Sequence, residues 1–215
     1  MKDTTLRDMV ESALDYEPSI DAANIGVAVD NGVVTLTGHV ATYAQKLTAE
    51  RVVRGVNGVR GIAQEIEVRD SLGKHIADDE IASRALRIIA WDVTIPSDKI
   101  QVKVQKGWVT LSGKVDWYFQ RSAAEHAVRK LSGVLGVTNQ IIVAPAIVAS
   151  DVKRRIEEAL KRSAEVEASG VTVSVKDSKV TLDGKVRSWR ERKSIEQAAW
   201  AAPGVASVED RLVLE

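Results

Sequence analysis

The sequence predicts an α+β protein: three tandem small two-layer αββαβ domains, each a three-stranded mixed sheet with two helices on one face. The first observation behind this is a phrase written three times, Val34-Thr35-Leu36-Thr37-Gly38-His39-Val40, Val109-Thr110-Leu111-Ser112-Gly113-Lys114-Val115 and Val180-Thr181-Leu182-Asp183-Gly184-Lys185-Val186, at spacings of 75 and 71 residues. The second is a set of companions at fixed offsets. Tyr43, Tyr118 and Trp189 follow the phrase glycine by five residues, and Gly58, Gly133 and Gly204 follow it by twenty. The third is a change of hydrophobic period inside every copy, which separates helix from strand. The copies span residues 1–70, 77–144 and 148–215.

Each copy opens with a helix. Leu6, Met9, Val10, Ala13 and Leu14 recur at helical spacing, as do Ile81, Ala85, Ile88 and Ile89, and then Val152, Ile156, Ala159 and Leu160. A strand follows in which every second residue is apolar: Ile25, Val27, Val29; Ile100, Val102, Val104; Val171, Val173, Val175. Asn31-Gly32 is a strong signal for a two-residue hairpin turn into the phrase strand, with Lys106-Gly107 and Asp177-Ser178 in the same place. The second helix carries Ala49, Val52, Val53 and Val56, matched by Ala124, Ala127, Val128 and Leu131, and by Ile195, Ala198, Ala199 and Ala202. The glycine behind it suits a helix stop. A last strand holds Val59, Ile62, Ile66 and Val68 and their equivalents. Strand–helix–strand crossovers favour parallel pairing and a right-handed connection. One sheet face is therefore expected to stay open.

Composition narrows the function. Thirty basic and thirty acidic residues cancel, so a strongly basic nucleic-acid binder is not expected, although local basic patches remain open. The chain has no cysteine, which removes disulfides, thiol catalysis and thiolate metal sites. No apolar run has the length of a membrane span, and the opening residues lead into a charged amphipathic pattern in place of a secretory signal. The expected compartment is the cytoplasm, with the periplasm as the alternative if the chain is a processed mature form. Charge is uneven: residues 5–68 hold 5 basic and 9 acidic residues, 77–143 hold 9 and 7, and 148–215 hold 13 and 12.

The Ile-x-Val-x-Val strand, the turn glycine, Val-Thr-Leu-x-Gly-x-Val and the closing Gly-Val-x-x-Val, each flanked by helices, resemble the BON domain, a family named for bacterial osmotic-stress and nodulation proteins. The resemblance covers almost the whole chain, three times. It implies the αββαβ fold, no catalysis, and a proposed role in binding phospholipid surfaces, often in the bacterial envelope; no cofactor is expected.

The residues themselves offer no catalytic or metal-binding constellation. His39 stands where the other copies have Lys114 and Lys185, His75 lies in a spacer, and His126 is off the apolar helix face. Asp78-Asp79-Glu80 opens a helix, where carboxylates complement the dipole. The informative positions are those where the copies differ. Trp91, Trp108, Trp117 and the single phenylalanine, Phe119, all belong to the second copy. Trp117 aligns with Thr42 and Ser188, which have the capping-box spacing to Gln45 and Glu191. Tryptophan cannot cap, so the second copy gives up a cap unless Asp116 replaces it. Trp108 should point to the open sheet face and pack between copies. Trp91, at the end of a first helix, reads either as a lid on the core or as a surface anchor. Arg187, Arg190, Arg192 and Lys193 surround Trp189, with Glu191 among them.

Two readings follow, with a small-ligand or ion sensor as a third. In the first, Trp91, Trp117, Arg187, Trp189 and Arg190 contact anionic phospholipid or another envelope component. In the second, the tryptophans and open sheet faces bind a protein partner in a stress-protective scaffold.

Overall fold

The computed structural model describes residues 2–69, 76–144, 151–162, 170–176 and 178–214. His75 and its spacer, the link through Pro145 and Ala146, and Asp177 of the third hairpin lie outside the described residues.

The first domain begins with α1 (Asp3–Asp15), whose Leu6, Val10 and Leu14 recur every fourth residue and are buried. The chain then turns into β1 (Ile25–Asp30) and β2 (Val33–Val40), paired antiparallel. Asn31 and Gly32 take φ of 50° and 79°, the left-handed conformation a two-residue turn requires. Helix α2 (Tyr43–Arg54) follows, and the chain returns beside β2 in parallel as β3 (Gly61–Gln64) and β4 (Glu67–Val68). The expected single strand is thus in two pieces, but the register is unchanged across the break: Val33 faces Gly61 and Val40 faces Val68. Val34, Leu36 and Val40 of β2 share one core with α1 and with Ala49 and Val53 of α2, while Gly26 and Ala28 on β1 are exposed. Both helices therefore cover the same face, and the other face is open.

The second domain repeats the order: α3 (Asp78–Trp91), β5 (Ile100–Gln105), β6 (Trp108–Val115), α4 (Tyr118–Val128) and β7 (Gly136–Val143), with the sheet ordered β5-β6-β7. The third has α5 (Val152–Arg162), β8 (Val171–Lys176), β9 (Lys179–Val186), α6 (Trp189–Ala201) and β10 (Ser207–Leu214). Here β8 is antiparallel to β9, and β9 is parallel to β10 over eight paired positions. The last strands start later than their hydrophobic pattern suggests. Val59, Val134 and Val205 fill the core from the loop before the strand.

The phrase glycine has a steric cause. Gly38, Gly113 and Gly184 adopt φ of 103°, 136° and 142°, where side chains are rarely accommodated. A β-carbon at each would overlap the carbonyl oxygen of Asn24, Lys99 or Gly170, the residue just before the strand beside it. Another device was not anticipated. Asp3 reaches over the first hairpin and accepts from the amides of Asn31 (2.9 Å) and Gly32 (3.1 Å). Asp78 does the same for Lys106 (2.7 Å) and Gly107 (2.8 Å). The first helix is thereby clipped to its hairpin, so Asp78 does more than complement the helix dipole.

Candidate binding surface

Two helix starts carry the surface. At the start of α2 the cap is complete: the Gln45 amide donates to Thr42 Oγ1 (3.2 Å), and the Thr42 amide donates to Gln45 Oε1 (3.1 Å). At the start of α6 the Glu191 amide donates to Ser188 Oγ (3.1 Å), and Glu191 Oε2 accepts from the Arg187 amide (2.8 Å). At the start of α4 only half of this survives. Gln120 Oε1 still accepts from the amides of Trp117 and Asp116, both at 3.1 Å, but the indole offers nothing to the Gln120 amide. Asp116 does not take over the cap, because its carboxylate is directed to Lys99 Nζ at 3.2 Å.

In place of a cap, this helix start presents aromatic surface. Trp117 is 42% exposed and Phe119 54% exposed. Tyr118 between them is half-buried, and its ring stacks on Trp200 of α6 with centroids 4.2 Å apart and planes 13° from parallel. Residues 89–101, 111–125 and 139–215 form one compact unit, so this contact lies inside a single body. Trp117, Tyr118, Phe119, Gln197, Trp200 and Ala201 line a groove of about 430 Å³. Burial raises the Tyr118 hydroxyl above its ordinary pKa; the Glu196 and Glu125 carboxylates add to this, against Arg121. Trp200 Nε1 is buried and has no acceptor among the described residues.

The start of α6 is different in character. Lys185, Arg187, Arg190 and Lys193 are exposed there, whereas Glu191 is only 8% exposed because it completes the cap. Trp189 is half-buried and lies under Arg192, whose guanidinium carbon is 5.4 Å from the ring centroid. Arg192 in turn holds Asp210 at 2.6 Å.

Arg187, Trp189 and Arg190 thus share one helix start. Trp117 faces the other end of the same helix, about 15 Å along its axis. Trp91 ends α3 and is 88% exposed, so it is a surface residue and not a lid. Trp108 lies on the open face of its own sheet, as strand parity predicts. Its ring covers Gly136, and its Nε1–H donates to Thr138 Oγ1 at 2.8 Å. Trp200 was missed, although a signal existed: it aligns with Arg54 and Arg129 of the other copies, so an aromatic replaces a cation there. Among the described residues no group of three or more His, Asp or Glu side chains is arranged to hold a metal, and no helix is long and apolar enough to cross a membrane.

A three-stranded mixed sheet under two helices, repeated three times around a fixed glycine, defines a class of small tandem α+β domains. The BON domain model matches the chain at residues 2–70, 77–145 and 149–215, and the chain belongs to the BON-domain family. Osmotically-inducible protein Y of Escherichia coli K12 is 32% identical over 145 residues, covering 66% of this chain and 72% of that protein. Among solved structures, two of CdsD, a structural protein of the type III secretion system of Chlamydia trachomatis, align at 17% identity with TM-scores of 0.28. One match covers 98% of this chain and 92% of that one, and the other, to its C-terminal domain, covers 100% of both.

Proposed function

We propose that the protein is a non-enzymatic binding protein of the osmotic or general stress response that docks reversibly on anionic phospholipid through the start of α6. The stress assignment rests on its likeness to the osmotically inducible relative. The single observation that carries the docking reading is the exposure of Lys185, Arg187, Arg190 and Lys193 together while Glu191 is withdrawn into the cap. Exposed cations near an anionic membrane surface are attracted to its headgroups, and the attraction falls within a Debye length.

Co-sedimentation with phosphatidylglycerol and phosphatidylcholine vesicles across a salt series tests this. Binding to the anionic vesicles alone, lost at high salt and in the Arg187→Glu/Arg190→Glu double variant, is the expected result. Equal binding by that variant would sink it. A second reading, a protein partner, is favoured by the exposed apolar Trp117–Phe119 edge. Contact there is insensitive to salt and to the two arginines.

A further inference from the structure

The groove beside Tyr118 has a chemistry unlike that of the basic helix start. Four of the chain's nine aromatic side chains, Trp117, Tyr118, Phe119 and Trp200, border it. Two of these are more than two-fifths exposed, and the other two form its stacked wall. Two carboxylates stand near the Tyr118 ring. Glu196 and Glu125 both act on Tyr118, opposed by Arg121 alone. Glu125 accepts a hydrogen bond from Asn139 Nδ2 at 2.9 Å. Glu196 stands one turn before Trp200 on α6 and is partly buried, and its carboxylate makes no hydrogen bond or ion pair among the described residues.

Aromatic faces carry negative quadrupole potential and attract cations within about 6 Å of the ring centre. A bulky, weakly hydrated cation gains most, because little hydration is lost when it settles among rings. A carboxylate without a partner beside those rings adds attraction of the same sign. An anionic group would be repelled on both counts. We infer that the Trp117–Tyr118–Phe119–Trp200 groove binds a trimethylammonium group, with Glu196 as its counter-charge. The group can be supplied by a zwitterionic lipid headgroup or by a free quaternary-ammonium solute. This site is separate from the basic helix start and stands or falls without it.

The test titrates the full chain with choline and, in parallel, with 3,3-dimethylbutan-1-ol, which has the same shape without the charge. Indole N–H NMR signals, assigned by single Trp→Phe variants, report the site. Choline is expected to shift Trp117 and Trp200 and to bind at least about fivefold tighter than the alcohol. Phe119→Ala and Glu196→Gln, one exposed and one isosteric, are each expected to weaken choline about threefold or more while leaving the melting temperature in place. Equal affinity for the two compounds, or choline shifts confined to other indoles, would overturn the proposal. Phosphatidylcholine vesicles identify the source. Vesicle binding that choline competes away assigns a headgroup, and choline binding without vesicle binding assigns a free solute. Because no anionic lipid is used, failure here is distinct from failure of the docking at α6.

Discussion

The Tyr118 ring lies against the Trp200 indole, near-parallel at 4.2 Å between centroids, and ties the first turn of α4 to the last turn of α6. The two residues stand differently in the repeat. Tyr118 has counterparts in Tyr43 and Trp189, but Trp200 has arginine at both equivalent positions. The stack is therefore specific to this junction. Aromatic pairs of this kind are worth about 0.5–1.5 kcal/mol beyond their buried area. A double-mutant cycle of Tyr118→Leu and Trp200→Leu, followed by urea unfolding, is expected to give a coupling energy in that range. Additive losses would mean that the rings merely share a surface.

The carboxylates of Asp3 and Asp78 each accept two backbone amides at the tip of a hairpin whose turn holds positive φ. Hydrogen bonds to an ionised group are stronger than neutral ones. Asp3→Ala is expected to cost about 1–2 kcal/mol and to speed hydrogen exchange at the Asn31 and Gly32 amides. Unchanged exchange at those amides would show that the clip contributes nothing to the turn.

Two strand glycines should respond oppositely to alanine. At Gly61 an added β-carbon meets the Val33 methyls at 3.6 and 3.8 Å, an ordinary contact. At Gly136 it would meet the Trp108 ring at 2.5–2.7 Å. Gly61→Ala should leave stability within about 0.5 kcal/mol. Gly136→Ala should lift the indole off the sheet, breaking its hydrogen bond to Thr138 and shifting the Trp108 indole N–H signal. An unmoved signal would show that the ring is held elsewhere.

Much of this architecture was legible in the sequence because each domain is written three times. Repetition turned weak local signals into strong ones: one Val-Thr-Leu-x-Gly is bland, but three at fixed spacing mark the same strand and the same steric need at Gly38, Gly113 and Gly184. The absence of a cap at Trp117 was legible for the same reason, since Thr42 and Ser188 showed what belongs there. The destination of Asp116 was not, because its partner Lys99 is 17 residues away and only the fold brings them together. Trp108 was placed on the correct face by strand parity. Parity cannot say that Gly136 leaves a bare patch on the neighbouring strand, which is what seats the ring. Trp91 had two readings because a helix end can turn inward or outward, and its exposure decides for the surface. The candidate surface was half legible. Arg187, Trp189 and Arg190 are sequence neighbours and stay together, whereas the groove is assembled from residues about 80 apart.

The half-buried Tyr118 makes that junction sensitive to alkali. Its pKa is raised, first by burial and then by Glu196, with Glu125 acting in the same direction and Arg121 opposing. Ionisation would place a phenolate in a poorly solvated position facing two carboxylates. A group whose folded pKa lies above its unfolded value contributes stability that is whole below the unfolded value and is lost as pH rises through the folded one. The unfolded reference is 10.0, so the window opens near pH 10 and extends upward. Tyrosinate absorbance of the native protein minus that of Tyr118→Phe isolates this residue from Tyr16 and Tyr43. The difference is expected to titrate with a midpoint above 10, and the alkaline fall in melting temperature is expected to be shallower in the variant. A midpoint at or below 10 would mean that the ring is solvated and that the stack on Trp200 does not persist in solution.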